Sequence, residues 1–81
     1  MRRNGTKKVL LEVAEDFGEA ADAGLFQTWA EDSYGISLSD KGVRMGLLRA
    51  HRQGLLLRRN GRYRLTPKGE QRLQFLRSSS Q

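Results

Sequence analysis

The fold is decided by residues 55–67, which read LLLRRNGRYRLTP. Asn60-Gly61 lies between two short segments, and both residue types accept the positive φ values that a two-residue hairpin turn needs. After the turn, Tyr63 and Leu65 alternate with arginines, which is the period of a strand with one buried face. The sequence therefore predicts an antiparallel β-hairpin over residues 55–66.

Helical periodicity surrounds the hairpin on both sides. A two-stranded hairpin alone is marginally stable in water, so its apolar face needs helices to pack against. Apolar residues recur at three- and four-residue spacing in three segments before it, and Thr66-Pro67 is typical of the start of a fourth helix. We therefore expect a mainly α fold with a small β-hairpin and helices over 6–18, 25–34, 39–53 and 67–77, with residues 19–24 as a connector, Asp22 as a candidate cap of the second helix and Ser39 as the cap of the third.

The length of 81 residues indicates one domain, which we place at residues 6–77. The first five residues show no periodicity and carry Arg2 and Arg3, so residues 1–5 are interpreted as a flexible basic arm. Residues 78–81, SSSQ, are expected to form a disordered tail.

This order of elements, with two motifs, resembles a winged helix-turn-helix DNA-binding domain. Residues 43–56, VRMGLLRAHRQGLL, are similar to the recognition helix and following strand of small bacterial and archaeal regulators of the MarR and PadR kind. Residues 62–69, RYRLTPKG, are similar to the Tyr-x-Leu-Thr-x-x-Gly ending of the wing in these regulators. The resemblance implies a three-helix core, a two-stranded wing and a short C-terminal helix. The step from Gly35 to Val43 is long for a compact helix-turn-helix, so we expect an extended turn or a short extra helical turn there.

The charges divide the chain into an acidic half and a basic half. Residues 1–40 carry four basic and eight acidic side chains, whereas residues 41–81 carry eleven basic side chains and one acidic one, Glu70. Clustered positive charge favours a polyanionic partner. The alternative explanation of the charge is a general bias of the genome towards arginine. Because carboxylates repel DNA, we expect the first two helices to face away from it. The third helix and the hairpin are then expected to face it.

Double-stranded DNA is the expected partner. Val43, Leu47 and Ala50 are predicted to face inward, which leaves the opposite face of helix 39–53 for the major groove, while the wing at 55–66 follows the backbone or minor groove. Arg44 is the first candidate for a base contact, because arginine binds guanine through two hydrogen bonds. The predicted DNA-binding residues are Ser39, Lys41, Arg44, Met45, Leu48, Arg49, Arg52, Arg58, Arg59, Arg62, Arg64 and Lys68.

Met45 and Leu48 leave a second function open. If the helix faces DNA, these two side chains touch thymine methyl groups. The alternatives are that they mark a protein-binding patch or that they pack under the hairpin. The alternative is therefore a winged-helix protein-interaction module within a larger nucleic-acid-processing complex. RNA binding finds less support, because no exposed aromatic residues are expected on a sheet. Copies of the chain have two candidate contacts, a dimer through Phe75 and an array through the acidic face.

Four further residues are given structural roles. Gly42 and Gly46 each cost a helix about 1 kcal/mol relative to alanine, and close packing against the second helix is the favoured reason for them. His51 is expected to be partly buried and bonded to a neighbour. Trp29 is placed in the core by its helical spacing from Phe26.

The composition also excludes classes of function. The chain has no cysteine and one histidine, so thiolate and histidine-cluster metal sites are excluded and no cofactor is expected. The carboxylates at 12–19 have no predicted partner that would perturb them, so no enzyme is expected. The uncharged stretch at 23–30 is too short to span a bilayer, and the apolar run at 9–11 ends at Glu12. We therefore expect a cytoplasmic, nucleoid-associated protein.

Overall fold

The computed structural model describes residues 3–79, and the side chains of residues 7–78. The elements follow in the order α1 (Arg3–Phe17), β1 (Ala21–Asp22), α2 (Ala23–Tyr34), α3 (Asp40–Arg52), β2 (Leu56–Arg59), β3 (Arg62–Leu65) and α4 (Pro67–Ser79). The expectation of a mainly helical fold with a small antiparallel sheet is confirmed. The inward positions predicted for the third helix are also confirmed, because Val43, Leu47 and Ala50 are all buried.

The sheet has three strands, where the sequence predicted two. β1 pairs antiparallel with β3, with Ala21 opposite Tyr63 and Asp22 opposite Arg62, so the strand order is β1-β3-β2. The sequence pattern predicts a connector at this place, because two residues are too few to show any periodicity. The pairing covers an edge of β3 that would otherwise present free backbone groups.

The hairpin forms at the predicted place, with strands shorter than the predicted segments. Asn60 and Gly61 have φ values of 53° and 77°, the left-handed values that a two-residue hairpin turn requires. Tyr63 is buried and Leu65 is half-buried, whereas the arginines between and before them are exposed. The alternation read from the sequence is therefore confirmed.

Caps fix the ends of α2 and the start of α3. Asp22 accepts a hydrogen bond from the Leu25 backbone N–H at 2.9 Å, and Gly35 ends α2 in the left-handed conformation. Residues 35–39 then form a non-helical connection, so the extended turn is the correct one of the two expected forms. Ser39 starts α3, and its hydroxyl oxygen accepts from the Gly42 N–H at 3.0 Å.

The two ends of the domain are more helical than the sequence indicated. α1 begins at Arg3 rather than at Thr6, so residues 3–5 of the predicted arm lie in the first helical turn. α4 continues through Ser79, so residues 78 and 79 of the predicted tail are helical as well. Helix ends are the least determined part of a sequence pattern, because capping preferences do not prevent a helix from continuing by a turn. Residues 1, 2, 80 and 81 of the predicted arm and tail lie outside the described residues.

The core is built around α1, which packs against the other three helices and β3. Leu10 and Leu11 of α1 are fully buried, together with Phe26 of α2 and Leu73 of α4. The remaining buried apolar side chains are those of Val9, Val13, Ala14, Ala21, Ala30, Val43, Leu47, Ala50, Leu55, Leu56, Tyr63 and Leu76.

Two of the predicted packing roles are corrected. A Cβ on Gly46 would lie 2.6 Å from Leu10 Cδ1. The missing side chain of Gly46 therefore allows close packing of α3 against α1, and not against α2 as predicted. Trp29 is 39% exposed and lies at the edge of the core, where its ring packs on Phe17 at a centroid distance of 5.2 Å. A helical spacing of apolar residues identifies a face, but it does not say which neighbour covers that face.

Thr66 and Gly69 fasten α4 to the base of the hairpin. The Thr66 hydroxyl donates to the carbonyls of Gly54 at 2.7 Å and Leu55 at 3.0 Å, and it accepts from the Gly69 N–H at 2.9 Å. A Cβ on Gly69 would lie 2.1 Å from the Leu55 carbonyl oxygen. The Leu-Thr-x-x-Gly part of the sequence motif is therefore a structural junction between the hairpin and α4.

Candidate nucleic-acid interface

The outward face of α3 carries four exposed side chains at helical spacing. Residues three and four apart lie next to each other on a helix surface, so Lys41, Met45, Arg49 and Arg52 share one face. All four are exposed, opposite the buried stripe of α3, and Leu48 beside them is half-buried. The face predicted from the sequence is therefore present, with Met45 at its centre.

Arg44 lies apart from the centre of this face. It lines a shallow cavity of about 80 Å³ with Asp40 of α3 and with Ala23, Gly24 and Gln27 of α2. The side chain is exposed, but it faces the groove between α2 and α3. Arg44 therefore occupies the flank of the α3 face, next to the beginning of α2.

The hairpin divides its arginines between two faces. Side chains of directly opposed residues in an antiparallel pair lie on the same face. Arg59 is opposite Arg62, and Leu57 is opposite Arg64, so these four form the outer face of the sheet. Arg58 is opposite Tyr63, on the side of the core, although its side chain is exposed. The sequence predicts all four arginines to be in the DNA-binding surface, and the register separates Arg58 from the other three.

An acidic side chain lies on the same sheet face as the arginines. Asp22 of β1 is opposite Arg62 of β3, which is in turn opposite Arg59 of β2. The expectation that every carboxylate between residues 12 and 32 would lie away from the basic face is therefore wrong for Asp22. The cause is the pairing of β1, which the sequence pattern does not reveal.

Hydrogen bonds hold α3 and the hairpin next to each other. The Leu55 N–H donates to the Ala50 carbonyl at 2.9 Å, and His51 Nδ1 is 3.1 Å from the Leu56 carbonyl oxygen. The prediction of a partly buried, bonded His51 is confirmed. Lys68 lies over the turn after α3, where its Nζ would be 3.6 Å from a Cβ on Gly54. α3, the hairpin and the start of α4, which all carry exposed basic side chains, are thus held next to one another.

Eight cations lie on α3 and the hairpin. Within the described side chains, none of the eight on α3 and the hairpin forms an ion pair. They are Lys41, Arg44, Arg49, Arg52, Arg58, Arg59, Arg62 and Arg64. Like charges held close together repel, so this surface is suited to an anionic ligand.

Arg77 behaves differently, although it belongs to the basic half of the chain. Its Nη2 lies 2.7 Å from Glu15 Oε1, and its Nε lies 3.1 Å from Glu12 Oε2. The hydrogen bonds to Glu15 and Glu12 raise the pKa of Arg77 above its ordinary value. Arg77 therefore links α4 to α1 and is outside the basic surface defined above.

Asp16, next to Glu15 on α1, is hydrogen-bonded to two residues of α2. Its Oδ2 accepts from Tyr34 Oη at 2.8 Å and from Trp29 Nε1 at 3.2 Å. Burial and the hydrogen bond to Asp16 raise the pKa of Tyr34 to about 12. The sequence analysis gave the carboxylates of α1 no partner. That expectation is wrong for Glu12 and Glu15, which bind Arg77, and for Asp16.

Residues 3–79 contain neither a cluster of metal-ligating side chains nor a helix that could span a membrane. No group of three or more histidine or carboxylate side chains is placed to hold a metal ion in that range. In the same range, no helix is long and apolar enough to cross a membrane. Phe75, named above as a candidate dimer contact, is 64% exposed on α4, away from the buried Leu73 and Leu76.

Comparison with known proteins gives no match. No protein-family model matches the chain, and no curated protein or solved structure is significantly similar to it. A functional assignment therefore rests on the residues of this chain and on the geometry described above.

Proposed function

We propose that this protein is a winged-helix domain that binds double-stranded DNA, as a small transcriptional regulator or accessory DNA-binding factor. α3 enters the major groove, and the hairpin follows the backbone or the adjacent minor groove. The observation that carries the proposal is that α3 and the hairpin, which lie next to each other, carry eight cations that form no ion pair among the described side chains. The order of helices and strands is compatible with a winged-helix layout.

The dimensions of α3 support its role. A helix with its side chains is about 10–12 Å across, which matches the width of about 12 Å of the major groove. The 13 residues of α3 span about 20 Å. Its outward face is polar and cationic apart from Met45 and Leu48, and its inward face is fixed by the core. The helix is therefore held rigidly with its cations presented outward.

The hairpin supplies contacts of another kind. Arg59, Arg62 and Arg64 share the outer face of a short, twisted strand pair. Arginines spaced along the outer face of a hairpin are suited to phosphate oxygens of the DNA backbone. Contacts to phosphates carry no direct information about the base sequence. We therefore assign affinity to the hairpin and sequence preference to α3.

Salt dependence is the first test. Fluorescence anisotropy with a labelled duplex measures the dissociation constant as salt rises from about 50 to about 200 mM. With about 4–6 phosphate contacts, affinity falls about a hundred- to a thousandfold over that range. Absence of binding to any duplex at the lower salt concentration refutes the proposal.

Charge-matched variants locate the surface. Arg62→Ala and Arg64→Ala each weaken binding to all duplexes by a similar factor and make the salt slope shallower by about one. Arg77→Ala removes the same charge from a residue paired with Glu12 and Glu15, so it leaves the slope unchanged. An equal effect of all three variants indicates a nonspecific charge effect and contradicts the assigned surface.

A protein-interaction module is the second candidate function. It is favoured by two exposed apolar side chains on the same surface, Met45 at 41% and Leu57 at 48% exposure. NMR chemical-shift mapping distinguishes the two functions. If the protein binds DNA, adding a duplex shifts the amide signals of α3 and of the Asn60-Gly61 turn together. If the surface binds only a protein partner, adding the duplex leaves both sets of signals unchanged.

A further inference from the structure

We propose that Met45 contacts the C5-methyl group of a thymine, so that the protein prefers duplexes with an A·T pair facing the middle of α3. This inference rests on the proposed function, because it requires α3 to lie in the major groove.

The position of Met45 is the first observation. Lys41 lies four residues before it and Arg49 four residues after it, so all three occupy one line along α3. Arg52 is seven residues after it, two turns further along the same face. The buried Val43 and Leu47 define the opposite side. When this line faces the floor of the major groove, Met45 is its apolar side chain, and it meets the base edges between the two cations.

Its neighbours do not compete for that position. Arg44 faces the cavity beside α2, where Asp40 lies next to it. Leu48 is half-buried against the fold, whereas Met45 is 41% exposed. An unbranched, flexible thioether therefore projects from the centre of the α3 face.

The chemistry of the groove selects the partner of such a side chain. Base pairs present hydrogen-bond donors and acceptors in the major groove, and the thymine methyl is the apolar group among them. Methionine has no donor, and its sulfur is a weak acceptor, so over a G·C pair it would cover polar base edges without bonding them. Unbonded polar groups that lose their water are unfavourable. Over thymine, the two apolar groups cover each other.

The exposed apolar residue of the hairpin provides a contrast. Leu57 is 48% exposed and lies opposite Arg64 on the outer face of the sheet. The hairpin is assigned to the backbone or the minor groove, and the thymine C5-methyl group lies in the major groove, so Leu57 does not meet it. Leu57→Ala is therefore a matched control, because it removes a similar apolar area from the other part of the same surface.

The test removes one methyl group at a time. Preferred duplexes are selected from a random pool with the full chain, and each thymine of the selected site is then replaced by uracil, which pairs identically but lacks the C5-methyl group. We expect at least one position at which uracil weakens binding about fourfold, the effect of exposing one buried methyl group. At that position Met45→Ala binds the thymine and uracil duplexes equally. The Leu57→Ala protein keeps the fourfold difference. Because Met45 is exposed, unfolding curves of Met45→Ala superimpose on those of the natural chain.

The failures of the two proposals can be told apart. If the protein binds no duplex at low salt, the proposed function is refuted, and this inference with it. If it binds duplexes but every uracil site matches its thymine counterpart, or if the selected site has no A·T pair, only the role of Met45 is refuted. Persistence of the fourfold difference in Met45→Ala also refutes it, because another residue then reads the methyl group.

Discussion

Replacing Gly69 by alanine tests the junction between α4 and the hairpin. A Cβ at this position would lie 2.1 Å from the Leu55 carbonyl oxygen and 2.8 Å from Leu65 Cδ1. The Leu55 backbone cannot yield without disturbing β2, which begins at the next residue. The first turn of α4 must therefore move away from the hairpin by about 1 Å.

That displacement has a magnitude that follows from the contacts it breaks. Thr66 caps this turn and moves with it, so its hydroxyl loses the Gly54 carbonyl and its backbone N–H loses the Leu55 carbonyl, two hydrogen bonds that together contribute about 2 kcal/mol. Overpacking costs about 1–3 kcal/mol more. Alanine regains at most about 1 kcal/mol through its helix propensity. We expect a net loss of about 3 kcal/mol, against the total of about 4–12 kcal/mol typical of a chain of this length.

Urea unfolding measures the loss. Far-ultraviolet circular dichroism and the fluorescence of Trp29, the only tryptophan, report on the helices and on the edge of the core. The unfolding midpoint of Gly69→Ala falls by about 2 M relative to the natural chain. Gly24→Ala is the control, because a Cβ there meets only Asp22 Oδ1 at an ordinary 3.5 Å. If Gly69→Ala is as stable as Gly24→Ala, the close approach of α4 to Leu55 is refuted.

Two further predictions concern α1. In a Tyr63→Phe variant Tyr34 is the sole tyrosine, and its ultraviolet absorbance reports its pKa, which we expect near 12 rather than at the ordinary 10.0. Asp16→Asn in the same background removes the carboxylate that accepts the Tyr34 hydrogen bond, so the midpoint moves down towards 10.0. The raised pKa stabilises the fold fully below pH 10, and this contribution disappears as the pH rises through 12. Gly46→Ala lowers the free energy of unfolding by about 1 kcal/mol, because its Cβ meets Leu10. The effect vanishes in a Leu10→Ala background, and a loss of the same size there would contradict the packing of α3 on α1.

Local signals account for what the sequence predicted correctly. The turn at Asn60-Gly61 follows from backbone preferences of the two residues themselves, and Asp22 and Ser39 act as caps through their own side chains. The inward stripe of α3 follows from a period that every helix shares. Each of these features is decided by residues within one or two turns of each other.

Features that depend on distant residues were not predictable in the same way. The two residues of β1 become a strand because Tyr63 and Arg62, some forty positions later, offer them a partner. Gly46 faces Leu10 rather than α2, because the direction of approach is a property of the assembled helices. For the candidate interface, the sequence supplied the cations and the α3 face, whereas the register of the strands was needed to separate Arg58 from the outer face.

The pairing of β1 with β3 also determines how the chain can fold. A hairpin on its own forms within microseconds, but here its inner strand is flanked by a partner from the first part of the chain. α1 and α4 are likewise packed together, with Arg77 bonded to Glu12 across more than sixty residues of sequence. Contacts of such long range must close large loops before they add stability, so partly assembled forms gain little. We therefore expect the domain to open as one unit, with the amide hydrogens of the hairpin and of α1 exchanging in the same event.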